Sequence, residues 1–153
     1  MENLMFIKVE DNDISELTNI STKSFHSDYE FGAPNKIGGP PGYKSEQFHK
    51  KMMNVSKAFY KIVINKKIIG GFFIFDKEKT HCYIGRIFID PEYHRNGYGT
   101  KSMNFLFDSF SNIKKWSLET PPWNTRTKKF YLKLGFNIIK ETEEDIFFEK
   151  IIN

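Results

Sequence analysis

The sequence predicts an α/β domain of the α+β type, with helices flanking a mixed, mostly antiparallel sheet of about seven strands. Two observations predict it. Three strand-like runs, "FYKIVIN", "KIIGGFFIFD" and "HCYIGRIFID", follow one another with only tight polar turns between them, which builds an antiparallel meander. On either side of that block, apolar residues fall at helical spacing in four segments.

The elements follow in order. Leu4 to Val9 reads as a first strand. In the next segment Ile14, Leu17, Ile20 and Phe25 line one helix face, with Asp13 placed to cap it. Phe31 to Ser45, "FGAPNKIGGPPGYKS", carries four glycines and three prolines and reads as a loop, long enough to suggest a functional lid or a disordered segment. A short helix follows over Ser45 to Val55. In the third meander run the alternation slips near Gly85-Arg86, which predicts a bulge. "GYGTKSMNFLFDSFSNI" is a helix, "KKWSLETP" a strand halted by Pro121-Pro122, and "WNTRTKKFYLKLGF" a helix stopped at Gly135. "FNIIKE" and "DIFFEKII" close the chain as a hairpin. With no internal repeat or linker, residues 1–153 read as a single domain.

Composition narrows the function classes. Hydrophobic residues make up 39% and charged residues 27%, an ordinary globular balance. No apolar run approaches the ~20 residues of a membrane span, and Met1-Glu2-Asn3 shows no basic signal region. Cys82 is the sole cysteine, so no internal disulfide forms, and the expectation is a cytoplasmic protein with no membrane partner. The net charge of +4 is dispersed, without a basic stripe interleaved with aromatics, so no nucleic-acid partner is expected.

Two stretches carry chemistry. In "DPEYHRNGYGTKS", Gly97 and Gly99 fall where a strand ends and a helix begins. Helix-start amides lack internal partners and suit an anion, and glycine lets a phosphate approach the backbone. A Walker A loop is excluded because Thr100 separates Gly99 from Lys101 and His94 stands where the upstream glycine belongs. A dinucleotide fingerprint would need glycine at Ser102. On these residues alone, a plain helix-start turn and a phosphate loop both fit. In the second stretch, Asn124, Thr127, Lys128 and Tyr131 share one helix face, opposite Phe130 and Leu134. A solvated face and a site face both fit that stripe.

Together the two stretches resemble the GNAT superfamily of acetyl-CoA-dependent N-acetyltransferases, with no subfamily assigned. That family's phosphate loop, Q/R-x-x-G-x-G/A, is matched by His94-Arg95-Asn96-Gly97-Tyr98-Gly99 except at its first position. Its later pattern of Asn, a small residue, Tyr and Gly-Phe is matched by Asn124, Thr127, Tyr131 and Gly135-Phe136, with Thr for the usual Ala. The resemblance implies a sheet that splays between its fourth and fifth strands and holds acetyl-CoA there. It places the pyrophosphate on Arg95, Asn96, Gly97, Tyr98, Gly99 and Thr100, and the pantetheine arm along Ile87, Phe88 and Ile89, with the thioester near an amide of Phe88 or Ile89. It further implies Asn124 and Thr127 beside the arm, Lys128 near the 3′-phosphate, and Tyr131 as the general acid.

His94, in the departed position, would donate to a phosphate and carry charge only when protonated, so cofactor affinity would fall as pH rises. The fourth strand has no carboxylate where the family often keeps its base, which leaves Glu119 as the nearest candidate. Glu30, Phe31 and Tyr43 are the candidate acceptor contacts, the aromatics through cation–π attraction. No metal is expected. The implied activity is acetyl transfer to a primary amine of a small molecule or peptide, by a monomer or homodimer. The alternative is an acyl-CoA-binding sensor without turnover, a reading fed by the missing strand-four acid.

Overall fold

A computed structural model describes residues 2–153. Seven strands form one sheet in the order β1-β2-β3-β4-β5-β7-β6. Their spans are β1 Leu4–Lys8, β2 Ala58–Ile64, β3 Lys67–Glu78, β4 His81–Ile89, β5 Lys115–Thr120, β6 Asn137–Glu141 and β7 Ile146–Ile151. Helix α1 (Ile14–His26) continues into a 3-10 turn over Ser27–Phe31, and α2 spans Glu46–Val55. Helices α3 (Tyr98–Ser109) and α4 (Thr125–Lys133) follow. No helix among the described residues is long and apolar enough to cross a membrane.

The helices sandwich the sheet. On one face Ile14, Leu17, Ile20 and Met52 pack with Phe59, Phe73 and Phe88. On the other, Met103, Leu106 and Tyr131 pack with Phe72, Trp116, Phe136 and Phe148. Large apolar side chains on both faces explain why central strands such as β3 read as continuous apolar runs rather than alternating ones.

Two helices are capped by side chains, and the cap expected on α1 is not one of them. Ser45 accepts the Phe48 amide at the start of α2, and Asn124 accepts the Thr127 amide at the start of α4. Asp13 does not cap α1. Its carboxylate turns back to the Glu10 amide at 2.9 Å and pairs with Lys61 at 2.9 Å, tying the α1 entry to β2.

Two irregularities of β4 open the sheet. The β3 register steps from Phe73↔Arg86 to Ile74↔Ile84, so Gly85 is the extra residue of the bulge. A Cβ there would lie 2.7 Å from the Phe73 ring, so the bulge also needs glycine for packing. Toward β5, the parallel pairing runs His81↔Lys115, Cys82↔Trp116 and Tyr83↔Ser117, then stops. Beyond Tyr83 the two strands diverge, and β5 stays in the sheet through β7.

Candidate active site

The divergence leaves the rest of β4 with an unpaired edge, and the ladder phase tells which groups face it. The Asp90 amide donates to the Ile69 carbonyl at 2.7 Å. That bond places Gly70↔Ile89 and Phe72↔Ile87 in non-hydrogen-bonded pairs, so the N–H and C=O groups of Ile87 and Ile89 point away from β3, toward the gap. The backbone of Phe88 instead faces Gly71, and its side chain is buried in the α1/α2 core. Of the three strand residues expected along the cleft, two therefore offer it backbone groups and Phe88 does not.

Two adjoining cavities occupy the gap. One, of about 630 Å³, is lined by Ile87, Ile89 and the loop leading into α3, and by Phe130, Tyr131 and Lys133 of α4. In that loop Arg95 and Gly97 both have positive φ, 66° and 80°, and Gly97 is the N-cap of α3. A Cβ on Gly97 would meet nothing within 4 Å, so the glycine serves its backbone conformation and the space in front of it. Gly99 and Thr100 also line this cavity, and a Cβ on Gly99 would press the Phe130 ring at 3.1 Å. Tyr98 contributes backbone only, since its ring is buried and its hydroxyl donates to Glu2 at 2.7 Å. Asn96 is exposed and is not part of the lining.

His94 is placed differently from expectation. Its Nδ1 lies 2.8 Å from Nη1 of Arg126, and its Nε2 lies 2.8 Å from the Ile89 carbonyl. A guanidinium only donates and a carbonyl only accepts, so Nδ1 is the acceptor and Nε2 carries the proton. Burial and the neighbouring Arg126 charge hold its pKa below the usual histidine value. His94 is thus a neutral brace that satisfies a free carbonyl of β4. The predicted fall in cofactor affinity with rising pH loses its physical basis.

The second cavity, of about 470 Å³, lies on the other side of Arg126 and Tyr131, which line both. Its walls are Ile84–Ile87 of β4, Leu118–Thr120 of β5, the end of α1, and Ala33–Asn35 and Gly38–Pro40 of the long loop. The loop is therefore a cavity wall. Its predicted contacts are elsewhere. Glu30 and Phe31 line the first cavity, with the Arg126 guanidinium 4.5 Å over the Phe31 ring. Tyr43 lines neither cavity; it is buried against Phe25, and its hydroxyl bonds His26 at 2.8 Å, which anchors the loop to α1.

Helix α4 presents a face rotated from the predicted stripe. Asn124 is buried and spends its side-chain oxygen on capping, although it lines the second cavity. Thr127 and Tyr131 line both cavities, while Lys128 lines neither and Lys133 takes its place beside the first. Tyr131 is 5% exposed, and burial, then the nearby Tyr83, drives its phenol pKa well up. The hydroxyl therefore keeps its proton at any physiological pH and acts as a donor. Glu119 lines the second cavity and is solvent-exposed. Cys82 is buried with its thiol pushed up to about 11, which removes it as a nucleophile.

Arg126 and Asp28 were invisible to the sequence reading. Arg126 Nη2 bonds Asp28 at 3.0 Å, so a chain runs from the turn after α1 through α4 and His94 to the end of β4. Asp28 is buried enough that desolvation raises its pKa despite Arg126. The partners are separated by 98 and 32 positions, and Arg126 lies off the polar stripe, so no spacing signals them.

A sheet gap beside a glycine-led helix start, walled by a buried phenol, is a cleft that can receive an anionic, extended ligand. The family model described as acetyltransferase (GNAT) family matches residues 17–136, and the chain belongs to that family. The fold is similar to that of the PaiA N-acetyltransferase from Thermoplasma acidophilum, solved in complex with coenzyme A. That pair has a TM-score of 0.83 at 16% identity, covering 98% of this chain and 99% of that one. The ribosomal-protein-S18-alanine N-acetyltransferase from Escherichia coli gives a TM-score of 0.75 at 19% identity, covering 100% of this chain and 95% of that one. Among curated proteins, the uncharacterised protein YrkN of Bacillus subtilis is 26% identical over 83 residues. That match spans 53% of this chain and 45% of YrkN.

Proposed function

We propose that the chain is an N-acetyltransferase that moves acetyl from acetyl-CoA to a primary amine of a small molecule or peptide. The observation that carries this is that β4–β5 pairing ends at Tyr83↔Ser117, and the stretch of β4 left unpaired beyond it, at Ile87 and Ile89, shares a cavity with the Gly97-led start of α3. The residues fit the cofactor: the open space before Gly97 admits a phosphate to the helix-start amides, and the gap-facing groups of Ile87 with the Ile89 amide suit an extended, amide-rich arm. Bound there, acetyl-CoA supplies an activated acetyl thioester to an amine in the second cavity.

This chain's own groups do the remaining work. The α3 amides and Lys133 hold the anionic end, and Phe130 keeps the approach narrow. Tyr131, between the cavities, donates its hydroxyl proton to the departing sulfur. Glu119 receives a proton from the amine, directly or through water.

The test is thiol release with a panel of amines, comparing wild type with Tyr131→Phe. Loss of a general acid lowers kcat on the order of 10²- to 10⁴-fold while coenzyme A still binds. Full activity of the variant removes Tyr131 from that role. Coenzyme A binding without turnover of any amine by wild type would instead favour a sensor.

A further inference from the structure

The four charged residues on the walls of the second cavity are incompletely paired. Asp28 and Arg126 neutralise each other at 3.0 Å. That leaves Glu119 on β5 and Arg86 on β4. Arg86 forms none of the salt bridges among the described residues, and its hydrogen bond goes to a neutral group, from Nη2 to the Pro41 carbonyl at 2.6 Å. Its Nη1 is buried with no partner among the described residues. An unpaired nitrogen in a desolvated guanidinium is costly, and a cation with no acid partner on a cavity wall can take an anionic ligand.

The guanidinium is also held in orientation. It lies 4.6 Å over the Phe48 ring and 5.9 Å from the Phe25 ring, so α2 and α1 grip it from two sides. The Pro41 contact adds a third support from the loop. Burial lowers its pKa to about 10, with only the Tyr83 phenol acting the other way, so it remains a cation at neutral pH.

Resting on the acetyltransferase reading above, we propose that Arg86 recognises a carboxylate on the acceptor, making the substrate an amino-acid-like zwitterion whose ammonium faces Glu119. The unpaired cation of β4 and the free carboxylate of β5 stand on diverging strands, so one small molecule carrying both charges answers both. A volume of about 470 Å³ has room for an amino acid with its side chain. A polyamine would bring further positive charge to Arg86 and leave Nη1 unpaired.

The experiment uses free amino acids, each beside its own carboxamide and its decarboxylated amine, with spermidine and a C-terminally amidated peptide as further arms. Binding is read by calorimetry on the cofactor-free protein, and turnover by thiol release. At least one amino acid is expected to bind and react, and its carboxamide to be weaker on the order of 10- to 100-fold. Arg86→Met should bring the acid down to the level of the amide, with Arg86→Lys recovering part of the difference and coenzyme A affinity unchanged in both. Equal or better use of the carboxamide, preference for spermidine or the amidated peptide, or no binding by any amino acid overturns the proposal. If Arg86→Met does not fold, the acid–amide comparison on wild type decides. Coenzyme A titrated into the same protein separates the two readings. Failure there overturns the cofactor reading, while carboxylate discrimination in the cofactor-free binding data still judges Arg86.

Discussion

Arg126 joins more of the site than any other side chain. It bonds Asp28 and His94, covers the Phe31 ring, and lines both cavities. Arg126→Ala leaves the Asp28 carboxylate buried without a counter-charge and His94 without its donor, at a cost of about 2–4 kcal/mol. Urea unfolding should report that loss, and Asp28→Asn combined with Arg126→Ala should recover part of it, because the unpaired charge is then gone. Loss of less than about 0.5 kcal/mol would show that the pair behaves like an exposed surface bridge. Local spacing in the sequence picked out Gly97, Thr127 and Tyr131, all of which line the cavities. It missed Arg126 and misplaced Tyr43, because their roles depend on residues brought together only by the packing of α1 against the sheet.

At the scale of elements, the cleft depends on the end of β4 and the start of α3. The bulge at Gly85 was readable because a slip in alternation changes which side chains face the core. The backbone phase at Ile87 and Ile89 was not, since side-chain pattern does not reveal which carbonyls are paired. The α4 face was read one step off because Phe130, which packs against the core as its spacing suggests, also borders the first cavity beside Gly99. Gly97 and Gly99 separate two effects. Gly97→Ala forces φ of 80° on a residue with a side chain but clashes with nothing, so stability falls by about 1–2 kcal/mol and the new methyl enters the phosphate space. Coenzyme A affinity should drop at least tenfold by calorimetry. Gly99→Ala has ordinary backbone and meets Phe130 at 3.1 Å, so its effect depends on ring movement. Unchanged coenzyme A binding by Gly97→Ala would show that the ligand does not approach this loop.

Across the whole molecule, the fold class, strand number and hairpin closure were legible because each strand had enough apolar residues to declare itself. Strand order was not, since β5 enters between β4 and β7 and only the family resemblance anticipated the splay. One global consequence follows from three histidines. His49, His81 and His94 all have pKa values lowered, each first by burial. His49 is fully buried, with Nδ1 at 2.8 Å from the Ser45 carbonyl and Nε2 without a partner. A depressed histidine pKa means the unfolded chain takes up protons first as pH falls. Their contribution is fully present above the ordinary histidine pKa of about 6.5 and is lost as pH drops through the folded values. Asp28 works in the opposite direction, because its raised pKa lets acid relieve a buried charge. With three groups against one, Tm should fall between about pH 7 and 5, and His49→Met should flatten that slope even if it lowers Tm at neutral pH. A wild-type Tm that holds constant across this range, or an unaltered slope in His49→Met, would show that the histidines do not control acid stability.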